Sequence, residues 1–222
     1  SRFDGDISEG VVELYDLNDF SLIHKWNPDI KKINSLVSNE RGAYGRLNID
    51  FTNERAGLFH PLVFSDLSLT THTLFQMKID ACGKLTWIND KHFFHHSNQL
   101  DSDGNIWSPV SFFPFKVEKK YVGTKYGNFN DDGIVKISPD GKILFEKSAV
   151  RILQENGMRY LIFGTKLYSG DPVHINDIEP VLEDGPFWKK GDLFIVARSL
   201  SLVILYRPST NKILKIISGP FS

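Results

Sequence analysis

The sequence predicts an all-β chain, a β-propeller of four-stranded antiparallel blades with about four blades present, and three observations carry that prediction. Val, Ile, Phe, Tyr and Thr alternate with polar residues in short runs broken by Asp, Asn, Gly and Pro clusters, the period-2 pattern of half-buried strands. Four segments repeat one another as strand, polar turn and strand. With Trp26, Trp87, Phe145 and Lys215 taken as rough equivalents, the repeats lie 61, 58 and 70 residues apart. A minimal blade needs about 40 residues, so the surplus belongs to loops between strands. At 222 residues, residues 1–222 are expected to form a single propeller domain or a fragment of one.

The repeated hairpins, in order, are "VVELYDLNDFSLIHKW" (11–26), "HTLFQMKIDACGKLTWIN" (72–89), "GIVKISPDGKILFEKS" (133–148) and "LVILYRPSTNKILKII" (202–217). Three restart with Lys-Leu or Lys-Ile after Gly83, Gly141 or Asn211, residue types that tolerate the positive φ a tight turn needs. These are read as outer hairpins, and the stretches between them as inner strands. Residues 31–64 carry little periodicity and read as loop plus one or two strands. The count lies between three and four blades, whereas a closed ring needs at least about four. The chain stops at "KIISGPFS", directly after an outer strand, so an incomplete ring is expected. Such a ring leaves an unpaired blade edge that invites another copy or a missing segment, hence a possible homo-oligomer.

Composition excludes several classes of partner. The 26 Lys+Arg and 27 Asp+Glu nearly cancel and form no single-sign block, so no nucleic-acid or polybasic membrane partner is expected. Cys82 is the one cysteine, which removes any internal disulfide framework or CxxC metal knuckle. The longest apolar runs, such as "LSLVILY" (200–206), are far short of the roughly 20 residues a bilayer requires, so no membrane span is expected. No P-loop, GxGxxG, GxSxG or paired Cys-His arrangement occurs.

The candidate chemistry lies in the inner segments. "FFHHSNQLDSDGNIW" (93–107) carries His95 and His96, which on a strand would point to opposite faces, so at most one of them faces the axis. Its "DSDGN" resembles the start of a calcium loop but lacks the later ligand positions and the terminal Glu, and reads as a tight turn. In "GDPVHINDIEPV" (170–181), Pro172 stiffens the approach to His174, and Asn176, two residues on, would share its face. Arg198, closing the apolar run "LFIVARSLS" (193–201), would need an anion or a salt bridge to Asp177 or Glu179 to justify burial. For each histidine a hydrogen-bonded structural role is the alternative. His24, His60, His72 and His92 read as surface or structural, and the four tryptophans as blade packing. No HxH or HExxH spacing supports a metal site from His95 or His96 with His174, and none is expected.

Taken in order, "HHSNQLDSDGNIW", "DDGIVKISPDGKILFE", "DPVHINDIEPV" and "GDLFIVARSLSLVILYRPSTNKILKIISGPFS" resemble the arylsulfotransferase family, from about residue 72 onward. The resemblance implies a six-bladed propeller that moves a sulfuryl group from an aryl sulfate to a phenol through a histidine intermediate. It needs no nucleotide donor, so no cofactor is implied. It places His96 (or His95), His174 and Arg198 around the sulfuryl group, with Asn176 as an auxiliary donor, and implies a periplasmic or secreted location. The interval from His174 to Arg198 contains "LEDGPFWKKG" (182–191), longer than a tight turn, an insertion that a hairpin can absorb without moving its strands. The family's nucleophile lies in a Gln-His segment on the next blade; residues 1–222 hold no such segment, and no residue here inherits that role. The rival reading is a non-catalytic propeller that binds a partner through its long loops.

Overall fold

The computed structural model describes residues 1–37, 57–118, 129–163 and 170–219. The chain is mostly strand, arranged in four antiparallel sheets of the kind that form propeller blades. It divides into two compact units, Ser1–His95 and His96–Ser222.

In the first unit, β1 (Arg2–Asp4), β2 (Glu9–Tyr15) and β3 (Leu22–Trp26) form a three-stranded sheet. A short helix α1 (Ile30–Ser35) follows, capped by Asp29, whose carboxylate accepts the Lys32 N–H at 2.8 Å. The second sheet is a meander, β4 (Phe59–Val63), β5 (Leu69–His72), β6 (Gln76–Ile79) and β7 (Leu85–Asn89). Within residues 31–64, read as loop plus one or two strands, the structure therefore has most of α1 and the strand β4, and residues 38–56 lie outside the described residues. Val12, Trp26, Ile30, Ile33, Leu69, Met77 and Ile79 pack as one core, and the indole N–H of Trp26 donates to the Leu67 carbonyl at 3.0 Å. The unit ends at β8 (Phe93–Phe94) and His95.

The second unit begins with β9 (Gln99–Leu100), which pairs β10 (Ile106–Ser111), followed by β11 (Asp132–Ile137) and β12 (Ile143–Ser148). "DSDGN" is the β9–β10 turn: Asp101 Oδ1 accepts the N–H groups of Asp103 and Asn105, and Gly104 sits at φ +78°. Two helices unforeseen in the sequence follow, α2 (Ala149–Glu155) and α3 (Tyr160–Phe163). The last sheet is β13 (Ile175–Pro180), β14 (Leu193–Ala197), β15 (Leu202–Arg207) and β16 (Lys212–Ser218). The core of this unit joins both sheets to α2 through Ile134, Val150, Leu153, Ile178, Ile195 and Tyr206.

All four expected hairpins form, and each carries a register shift at the same place, at Leu14/Tyr15, Lys78/Ile79, Lys136/Ile137 and Leu205/Tyr206. Gly83, Gly141 and Asn211 take positive φ of 78°, 85° and 54°; in the first hairpin the same role falls to Phe20 at 57°. The residues opposite the shift are His24, Trp87, Phe145 and Lys215. The first repeat is thus aligned by His24 rather than Trp26, because Trp26 lies two cross-strand pairs nearer the hairpin's open end.

Candidate active site

The site of the second unit is assembled where β11 and β13 begin. Asp132, the first residue of β11, is buried; its Oδ2 accepts the Ile175 N–H at 3.0 Å and its Oδ1 accepts Ser111 Oγ and Asn130 Nδ2, both at 2.8 Å. The Asn130 amide also reaches Asp171 Oδ1 at 3.3 Å, and its backbone N–H donates to the Gly170 carbonyl at 2.6 Å. These bonds fasten the "GDPVH" turn to the sheet. Asp171 Oδ2 then bonds His174 Nδ1, and His174 Nε2 lies 2.9 Å from Nε2 of His96. The two rings meet edge to face, 5.0 Å between centroids and 70° between planes.

His96 is held by its neighbours. Ser97 Oγ accepts the Ile178 N–H at 3.2 Å, and Asn98 Oδ1 accepts Ser108 Oγ at 2.5 Å, which anchors the segment to β13 and β10. Both histidines occupy the left-handed backbone region, His96 at φ +56° and His174 at +47°. Histidine visits this region more than most residues, at a cost of about 1–3 kcal/mol that the surrounding bonds must offset. Side-chain exposures of 19% for His174 and 33% for Asp171 leave the couple within reach of a solute.

The expected site residues fare differently. His96 and His174, 78 residues apart in sequence, are brought together. His95 closes the first unit, its ring 6.3 Å from that of Phe93, and the argument from a regular strand does not hold for the pair, since both residues follow β8. Asn176 does not share a regular strand face with His174: His174 is left-handed, and the β13–β14 register shifts between Ile175 and Asp177. Its Oδ1 is buried without a hydrogen-bond partner among the described residues. Arg198 lies beside His174 along the backbone, its N–H donating to the His174 carbonyl at 2.9 Å, so the 182–191 insertion leaves the two strands in register. Its side chain is exposed rather than buried, because Arg198 starts a 3-10 turn after β14, and it forms no ion pair with Asp177 or Glu179 among the described residues. The guanidinium therefore carries no burial cost that an anion would have to offset, and it is open to solvent.

Asp171, Asp132 and Asn130 were not found from the sequence; the signal for Asp171 was an acid three residues before a histidine in a proline turn. One donor atom each from Asp132, Asp171 and His174 converge within 4.8 Å. Both carboxylates and both His174 nitrogens already serve hydrogen bonds, so the arrangement fits a hydrogen-bonded chain better than a cation cage. Close by, burial pushes the Asp131 carboxyl up to about 6 against the pull of Ser148 Oγ and the N–H groups of Lys116 and Val117, and the charge of Asp132 adds to the rise. No described helix is long and apolar enough to cross a membrane.

The family model described as arylsulfotransferase (ASST) matches residues 73–222. No curated protein matches the chain. Among solved structures, a protein of unknown function from Bacteroides caccae superposes with a TM-score of 0.51 at 10% identity, over 94% of this chain and 54% of its own. Catalytically inactive virginiamycin B lyase from Staphylococcus aureus gives 0.42 at 14% identity, over 78% of this chain and 45% of its own. At such identity the first likeness bears on the fold alone. The chain spans about half the length of these structures.

Proposed function

For a chain that belongs to the arylsulfotransferase family, we propose a role in sulfuryl transfer from an aryl sulfate to a phenolic acceptor, with His96, His174 and Arg198 around the sulfuryl group. The observation that carries the reading is the Nε2–Nε2 approach of His96 and His174 at 2.9 Å, beside the backbone position of Arg198. In the transfer, the S–O bond to the aryl group breaks as sulfur bonds to an imidazole nitrogen, and the departing aryl oxygen takes up a proton. The acceptor phenol then gives up its proton and attacks sulfur, and the S–N bond breaks. Charge on the three peripheral oxygens must be steadied throughout, which suits imidazole N–H donors and a guanidinium. An exposed Arg198 without an ion-pair partner among the described residues is available to meet a sulfate as it arrives. His95 and Asn176 are assigned to substrate contacts, and the nucleophile is not assigned to any residue of this chain. The same reading places the protein in the periplasm or outside the cell.

The test is transfer from a chromogenic aryl sulfate to a phenol by the protein of the complete reading frame. His174→Ala and Arg198→Ala should each lower kcat/KM by about 100-fold or more, the scale of losing one stabilising donor. Wild-type-like rates in both variants would overturn the assignment of these residues, and no transfer by the unsubstituted protein would overturn the reading in favour of a binding module.

A further inference from the structure

Two imidazole Nε2 atoms at 2.9 Å require one N–H and one lone pair between them. Which histidine supplies the proton is decided by what sits at the other nitrogen, since a neutral ring carries a single N–H. At His174 that neighbour is a carboxylate, Asp171 Oδ2 on Nδ1. A carboxylate only accepts, so it holds the proton on Nδ1 and leaves Nε2 of a neutral His174 bare. His96 must then present Nε2–H. We infer that Asp171 is a positioning residue that fixes the tautomer of His174, and through it makes His96 the donor of the histidine pair. This inference rests on the transfer function for its catalytic meaning and on the geometry alone for the tautomer.

The surroundings are built to hold Asp171 in that role. Its other oxygen accepts the Asn130 amide, and the same amide is locked to Asp132 Oδ1 at 2.8 Å. Asp132 is in turn held by Ser111 Oγ and the Ile175 N–H, so the acid is braced through a second acid in the sheet. The groups facing His174 are His96 and Asp171 at its two nitrogens, Asp132 through the shared cluster, and the backbone N–H of Arg198 at its carbonyl. If the pair takes up one further proton on His174 Nε2, His96 turns to accept it, and the imidazolium that forms lies against Asp171, which lets positive charge reside beside the sulfuryl oxygens without a bare desolvated cation.

The tautomer is read directly from the imidazole nitrogen-15 shifts of labelled protein. Wild-type His174 is expected to show a protonated Nδ1 and a bare Nε2. In Asp171→Asn the amide donates to Nδ1, the proton moves to Nε2, and transfer should fall at least about tenfold in kcat with little change in KM, as when other histidine-orienting carboxylates are removed. Asp171→Glu, which keeps an acceptor, should retain the wild-type tautomer and recover most of the rate. A bare Nδ1 on wild-type His174 overturns the inference, as does an unchanged tautomer in Asp171→Asn; if that variant does not fold, the wild-type spectrum still decides. If the wild type shows the expected tautomer but transfers no sulfuryl group, the positioning role stands and the transfer reading fails.

Discussion

His96 and His174 meet because each abandons the extended backbone at the position where a strand would have carried its side chain elsewhere. That is also why sequence reading found the two residues but not their relation: alternation along a strand assigns faces only to residues that stay in the strand. Asp132 is illegible for a further reason, since a hydrogen bond between residues 43 apart, Ile175 N–H to Asp132, leaves no local pattern. Asp131 gives a residue-level prediction. Its carboxyl titrates at about 6 in the fold, above the 3.8 of an unperturbed Asp. Between about pH 4 and 6 the folded state therefore binds more protons than the unfolded state, and this group's contribution to stability falls as pH rises through that window and is level above it. Asp131→Asn should flatten that part of the melting temperature against pH curve; parallel curves for wild type and variant would contradict the assignment.

At the scale of elements, the outer hairpins were legible because their chemistry is local. Gly83, Gly141 and Asn211 mark the left-handed turn positions, and Lys-Leu or Lys-Ile restarts the strand after each. The helices were not, because "AVRILQE" buries Ala149, Val150, Ile152 and Leu153 and its β-branched residues read as a continuing strand. Ser148 marks its start, since the hydroxyl accepts the Arg151 N–H at 3.3 Å while also donating to Asp131 Oδ1 at 2.6 Å. Gly133 in β11 tests the tightness of that sheet. A Cβ there would lie 2.2 Å from the Phe112 ring and 2.4 Å from the Lys147 carbonyl, and the latter is backbone that cannot step aside. Gly133→Ala should cost about 1–3 kcal/mol by denaturant titration, the range for overpacking, and a loss under about 0.5 would mean the sheet yields more easily than its register implies.

For the whole molecule, the repeat was visible as spacing, but its division into two units was not, because each unit's core is made of contacts between sheets rather than within hairpins. The family match at residues 73–222 takes in the whole of the second unit and only the end of the first. The two cores share no residue, which predicts separable stability. Trp26→Ala removes a fully buried indole of the core that draws on both sheets of the first unit, and its bond to Leu67. It should cost about 3–5 kcal/mol there. Hydrogen exchange should show faster amides in β2, β5 and β6 and a smaller change in β13–β15; equal loss of protection in both would mean the units unfold as one.

The insertion at 182–191 lengthens only the tip of the β13–β14 hairpin. His174 and Arg198 stay paired by a backbone bond whatever the length of chain looped out between them, because that pairing is closed at the base of the hairpin and the extra residues leave from its tip. A search pattern written with a fixed gap between the two would pass over this chain, whereas one written as two strand anchors around a gap of free length would retrieve it. The same tip, with Leu182 and Phe187 exposed, is a natural point for splicing in a tag or reporter peptide at a distance from the histidine pair.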